Sequence, residues 1–214
     1  MHNIVTKLIL IQKEIQEINS KTQVIAVSKT FPLEVIIPLI NHGHKDFGEN
    51  KIQEAAIKWT QIKKNFTDIN LHMIGKIQSN KVKFLFPLFN YIHSLDNLKL
   101  AEKISNEQKK HNKDIKIFIQ VNIGDESQKS GISPNELVVF KDTCVNELNL
   151  NIVGLMCLPP KNKETSVYFK EMNQLLKTTN LKELSMGMSN DYLQAVTYNS
   201  SFVRIGSKIF GNRG

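Results

Sequence analysis

The feature that most constrains this chain is a rhythm. A short apolar run is followed by a longer stretch of helical spacing, and the pair recurs about eight times along the sequence. Val24, Ile25, Ala26 and Val27 form the first run, ahead of a helical pattern over residues 33–42. Asp46, Phe47 and Gly48 precede a pattern over 50–64, and Leu71 to Ile74 precede one over 79–85. Tyr91 to Ser94 precede residues 98–111. The longest strand pattern covers 115–122, with Ile115, Ile117, Ile119 and Val121 on one face. Pro134 suits the first turn of a helix reaching residue 148. Residues 152–156, 184–186 and 202–205 supply three more strands, with helical patterns over 163–178 and 191–198.

Strands that alternate with helices pair in parallel, because each parallel neighbour needs a crossover. About eight such units predict a closed (β/α)8 TIM-type barrel rather than an open sheet. Ile4, Leu8, Ile11, Ile15 and Ile18 fall at helical spacing and predict an extra N-terminal helix. No Pro-, Gly- or Ser-rich linker interrupts the chain, so residues 1–214 are expected to form one domain, with no C-terminal β-domain.

Composition narrows the function classes. No apolar run of about 18 residues appears, so no membrane helix is expected. The first residues lack the apolar core of a signal peptide, which makes the cytoplasm the expected location. Cys144 and Cys157 are too few for a disulfide framework or a zinc knuckle and are expected to be buried. The net charge is +8, but the lysines are scattered and no aromatic RNA-binding signature accompanies them. A solvated basic surface is therefore favoured over a specific nucleic-acid site.

In such a barrel the reactive groups stand at the C-terminal ends of the strands. Lys29 follows the first strand directly. Pointing inward, it would lose part of its hydration, its pKa would fall, and its neutral amine could attack an aldehyde. Pointing outward, it is a surface lysine. Near the other end, Ser185 to Asp191 reads as strand, turn and helix start, with Ser189 or Asn190 as the cap. Free amides in that first helical turn would suit a phosphate. Arg204, Gly206 and Ser207 bring a second backbone approach and a hydroxyl. Phosphate sites after the last two strands recur in these barrels, with ordinary turn chemistry as the alternative for either motif alone.

Eight stretches in order carry a resemblance over nearly the whole chain: residues 26–30, 46–54, 72–81, 92–96, 119–132, 154–159, 184–191 and 203–213. Together they resemble the pyridoxal phosphate (PLP) homeostasis family, which is related to the N-terminal barrel of alanine racemase. The resemblance implies a PLP barrel of fold type III with the cofactor held as a Schiff base on Lys29. It implies Arg204 near the pyridine nitrogen, Ser189, Gly206 and Ser207 on the phosphate, and Asn50 near the cofactor. Met186 either packs beside the ring or belongs to the core. His72, Gln78, Ser79 and Asn80 match a motif near the mouth, and Lys129 lies in a signature loop where it would accept or relay PLP or simply be solvated. The chain departs from the pattern at Lys51, where an aromatic is common, and at Lys76, where a neutral or small residue is.

These expectations favour a PLP-binding protein that stores, buffers or delivers the cofactor, without robust catalysis. A permanently cationic Arg204 would keep the pyridine nitrogen unprotonated and weaken the electron sink. No Tyr stands where a second acid/base group is wanted. The expected partners are PLP and PLP-dependent apoenzymes, with the protein as a monomer. A weak amino-acid racemase or related PLP enzyme is the alternative.

Overall fold

The computed structural model describes residues 2–126 and 130–211, and its eight strands close into one parallel barrel. Strand β1 (Gln23–Val27) pairs with β2 (Asp46–Glu49) on one side and β8 (Phe202–Ile205) on the other, which seals the ring. Between them run β3 (Asn70–Met73), β4 (Tyr91–Leu95), β5 (Lys116–Val121), β6 (Ile152–Cys157) and β7 (Glu183–Met188). Closure leaves no open sheet edge among the described residues.

Strand alternation builds two apolar layers. Ile25, Phe118, Met156 and Phe202 form a small cluster inside the ring. Val24, Ala26, Phe47, Leu71, Leu184 and Val203 belong to the larger core between strands and helices. That outer layer is completed by α1 (Asn3–Ile18), α2 (Leu33–Asn41), α3 (Ile52–Trp59), α4 (Ile62–Asn65), α5 (Leu98–His111), α6 (Leu137–Asp142), α7 (Thr165–Thr179), α8 (Tyr192–Thr197) and α9 (Ser207–Phe210). The extra helix α1 buries Ile4, Val5, Leu8, Ile11 and Ile15 and packs on α2, α8 and α9; Ile18, the last of its predicted stripe, is exposed. Each such buried aliphatic side chain contributes roughly 1.5–3 kcal/mol before conformational entropy is counted.

Three helical expectations change. The pattern over 50–64 is two helices parted at Thr60 and Gln61, both of which keep right-handed helical angles, and Thr60 Oγ1 donates to the Ala56 carbonyl at 2.6 Å. Ser79–Phe84 is a 3-10 helix. The stretch from Pro134 is a 3-10 turn, then α6, then a π-turn over Thr143–Glu147 that keeps Cys144 on the core face. Helix α9 is too short to show a period in the sequence. Both cysteines are buried, and burial pushes each thiol up to about 12. Among the described residues no helix is long and apolar enough to cross a membrane.

Candidate functional site at the barrel mouth

The alternation that turns Ile25 into the ring gives Lys29 the same inward parity, and Lys29 is half-buried at the C-terminal mouth. The ladder continues one residue past β1, with Ser28 N–H donating to the Gly48 carbonyl at 3.0 Å. The chain then turns sharply, and Phe31 N–H donates back to the Ser28 carbonyl at 3.2 Å. Thr30, inside that turn, has φ 69°, a costly conformation for a β-branched residue.

The strain is held by a cluster on α3. Thr30 N–H donates to Glu54 Oε1 at 2.7 Å, and Lys58 Nζ donates to the Ser28 carbonyl at 2.9 Å. Glu49 Oε1 accepts from Ser28 Oγ at 2.7 Å and from Lys58 Nζ and Trp59 Nε1 at 2.9 Å each. Residues 28 and 30 are thus clamped on either side of Lys29. Glu49, at the end of its strand, has the outward parity and lies fully buried under α3.

Asn50 follows on the inward parity, and its Oδ1 is buried with no hydrogen-bond partner among the described residues. An orphaned acceptor of this kind costs free energy until a donor reaches it. Gly75 fixes the residue from the next strand: a Cβ there would lie 2.4 Å from the Asn50 carbonyl oxygen, so only glycine fits.

The loops after β7 and β8 meet, with Lys208 N–H directed at Ser189 Oγ at 3.4 Å. Gly206 differs from Gly75. Its φ is −114°, and an added Cβ would meet nothing nearer than Val27 at 3.5 Å. Neither a positive φ nor protein packing requires glycine there. Ser207 opens α9 with an exposed side chain. The cap of α8 is a correction: neither Ser189 nor Asn190 occupies it. Asp191 stands at that position with no side-chain bond to the helix, its Oδ1 instead accepting from Met188 N–H at 2.6 Å. Ser189 turns to the β8 loop, where Lys208 N–H meets it.

Arg204 lies within the ring, 4% exposed. Its Nη1 donates to the Ser185 carbonyl and to Ser185 Oγ at 2.7 Å each, and its Nη2 to the Cys157 carbonyl at 2.8 Å. Burial pulls its pKa down, yet a guanidinium starts so high that it stays protonated. Met186 takes the opposite parity from Ser185 and is fully buried in the outer core, the second of its two expected roles. Lys51 and Lys76 are exposed. Lys129 lies outside the described residues; beside it, the Ser130 carbonyl accepts from Gln120 Nε2 at 2.7 Å.

His72, which the resemblance sets near the mouth, stands deeper, with His93 beside it, both fully buried along the barrel axis. His72 Nε2 is 3.0 Å from Asp46 Oδ1, His72 Nδ1 is 2.9 Å from His93 Nε2, and His93 Nδ1 is 2.8 Å from Ser185 Oγ. Burial pushes both imidazoles below their usual pKa, His93 most strongly. Strand parity is the signal that finds this line. Asp46, His72, His93, Ser185 and Arg204 are polar residues at inward positions that an ordinary barrel fills with aliphatics.

Residues 10–214 match the alanine racemase N-terminal domain family. The chain is 34% identical over 204 residues to the pyridoxal phosphate homeostasis protein of Pasteurella multocida, covering 91% of this chain and 88% of that one. It is 36% identical over 200 residues to the protein of the same name from Aquifex aeolicus, covering 89% and 87%. PipY of Synechococcus elongatus, in its structure with PLP bound, superposes with TM-score 0.87 at 30% identity, over 97% of this chain and 100% of PipY. An alanine racemase from Clostridium difficile shares the fold, with TM-score 0.74 at 15% identity over 57% of its length.

Proposed function

Since the chain belongs to the pyridoxal phosphate homeostasis protein family, with its alanine racemase N-terminal barrel, we propose that it holds PLP covalently on Lys29 and stores, buffers or delivers it in the cytoplasm. The observation that carries this reading is the clamped lysine: Lys29 stands at the mouth with the backbone on both sides fixed by buried groups of α3.

The residues present fit the cofactor. In its neutral form the Lys29 amine would hold the cofactor through its aldehyde carbon, with water lost. When bound, PLP supplies that aldehyde and an electron-withdrawing ring. Gly206 and Ser207 hold the phosphate with backbone and hydroxyl, and Ser189 closes that loop from the other side. The orphaned Asn50 Oδ1 takes a donor from the ligand. Arg204 presents a fixed positive charge to the pyridine nitrogen.

That charge supports a carrier over a catalyst. A cation beside the ring nitrogen disfavours its protonation, and with it the carbanion stabilisation on which most PLP chemistry depends. The tyrosines are engaged elsewhere. Tyr91 stacks on His72 inside the ring, Tyr192 bonds Glu14 of α1, and Tyr168 and Tyr198 pack on the outer core. The two free, buried thiols suit a reducing compartment. In this reading the protein acts as a monomer whose partners are PLP-dependent apoenzymes.

PLP-loaded protein mixed with an apoenzyme tests the role. Activity is expected to return in the apoenzyme, while D- or L-alanine incubated with the loaded protein in D2O gains no α-deuterium above the free-PLP background. Rapid α-exchange or racemisation contradicts the carrier reading.

A further inference from the structure

The interior line of polar groups has a direction, and its chemistry fixes that direction from both ends. Arg204 can only donate, so Ser185 Oγ accepts from its Nη1 at 2.7 Å. Among the described residues the only other partner of Ser185 Oγ is His93 Nδ1 at 2.8 Å, so the serine proton has nowhere else to go and His93 Nδ1 accepts it. At the far end the carboxylate of Asp46 can only accept, so His72 Nε2 donates to it. The two conclusions meet between the rings. His93 Nε2 carries the hydrogen and His72 Nδ1 the lone pair, 2.9 Å apart. Both rings are then neutral Nε2–H tautomers, and every hydrogen in the line points from Arg204 toward Asp46. Their complete burial, which lowers both pKa values, favours that neutral state.

We infer that Asp46, His72, His93 and Ser185 form a one-way hydrogen-bonded chain along the barrel axis that fixes Arg204 as the cation of the mouth, making these four the positioning residues for the cofactor's pyridine ring. The inference rests on the PLP reading above. A buried guanidinium needs more than neutral acceptors, because its desolvation is costly without a counter-charge. Asp191 supplies one through space, and the chain supplies a second at a distance. Each link polarises the next, and the line ends on a carboxylate that Asn70 Nδ2 also supports at 3.1 Å. Asp46 opens β2 at the N-terminal end of the barrel, the end opposite Lys29. None of the four has to touch the ligand; they act through Arg204.

Two measurements test the chain. Long-range 15N NMR of histidine-labelled protein without PLP is expected to show His72 and His93 both protonated at Nε2 only. A proton on His93 Nδ1, or an imidazolium at either ring at neutral pH, overturns the inference whatever PLP does. The second compares PLP binding in wild type, His93→Phe and His93→Gln, each checked for a folded melting transition. His93 stacks on Phe118 with centroids 4.4 Å apart, so phenylalanine keeps the packing and removes only the link. His93→Phe is expected to bind roughly tenfold or more weakly, with its bound-PLP absorption shifted, and His93→Gln to recover at least about threefold, since an amide can both accept and donate. Equal affinity and spectrum in His93→Phe and wild type overturn the inference, as does an equal loss in both variants. Wild-type protein that binds no PLP overturns the proposed function and takes the inference with it.

Discussion

At the scale of single residues, the site is one lysine and the groups that hold its backbone. Thr30 accepts a left-handed conformation because Glu54 takes its N–H. Glu54→Ala should therefore lower stability by roughly 1–3 kcal/mol, the range for losing a charged acceptor, and weaken PLP retention as the turn relaxes. Thr30→Gly, which adopts that φ without strain and keeps the N–H, should stay within about 1 kcal/mol of wild type. Urea unfolding of both variants checks the pair, and equal losses would mean that the turn is not held as described. Lys29, Asn50, Arg204, Gly206 and Ser207 were legible in the sequence as polar or glycine positions at strand ends. Glu49 and Met186 were not separable from them, because a strand reverses its facing at every residue and only the closed ring says which parity is inside. His72 and His93 were legible as motif residues, but their depth depends on register that one sequence does not reveal.

At the scale of elements, the site depends on how closely neighbouring strand ends approach. Gly75 seats the β3 loop against Asn50 with no space for a Cβ. Gly75→Ala should force the loop away at a cost of about 1–3 kcal/mol and loosen PLP more than Lys51→Ala does, since Lys51 is exposed. Thermal melts and PLP titration of the two variants read both effects, and a neutral Gly75→Ala would contradict the close approach. The strands were legible because alternation and β-branched runs mark them. Helix α5 was legible to its ends, with Asn97 capping the Leu100 N–H at 2.9 Å and Asn112 closing in the left-handed conformation. The breaks in 50–64 and 134–148 were not, since they follow from where Trp59 and Cys144 must sit in the outer core. A periodic pattern continues across such breaks unmarked.

At the scale of the whole molecule, the polar axis ties stability to pH. His72 and His93 have folded-state pKa values pushed below the usual 6.5, first by burial. Below about 6.5 the unfolded chain protonates them and the folded chain does not, so acidification favours unfolding by up to about 1.4 kcal/mol per pH unit for each ring. For Asp46, burial pushes the carboxyl up, but its bonds from His72 and Asn70 prevail and leave it below its ordinary value. Its contribution persists above the unfolded carboxylate pKa and is lost as pH falls through the depressed one. Denaturation measured from pH 7.5 to 5 should show stability falling, with a shallower slope in His93→Phe; identical slopes would contradict the neutral buried ring. The closed barrel itself was the most legible feature of the chain, because eight strand–helix units leave little else for a parallel sheet to form.

The central claim is that Lys29 carries the cofactor. The most direct measurement is an absorption spectrum after PLP addition, wild type beside Lys29→Ala, followed by borohydride reduction and peptide mapping. The account predicts a Schiff-base band in wild type only, and reduced cofactor fixed on Lys29. A band that survives in Lys29→Ala, or cofactor mapped to another lysine, would contradict it.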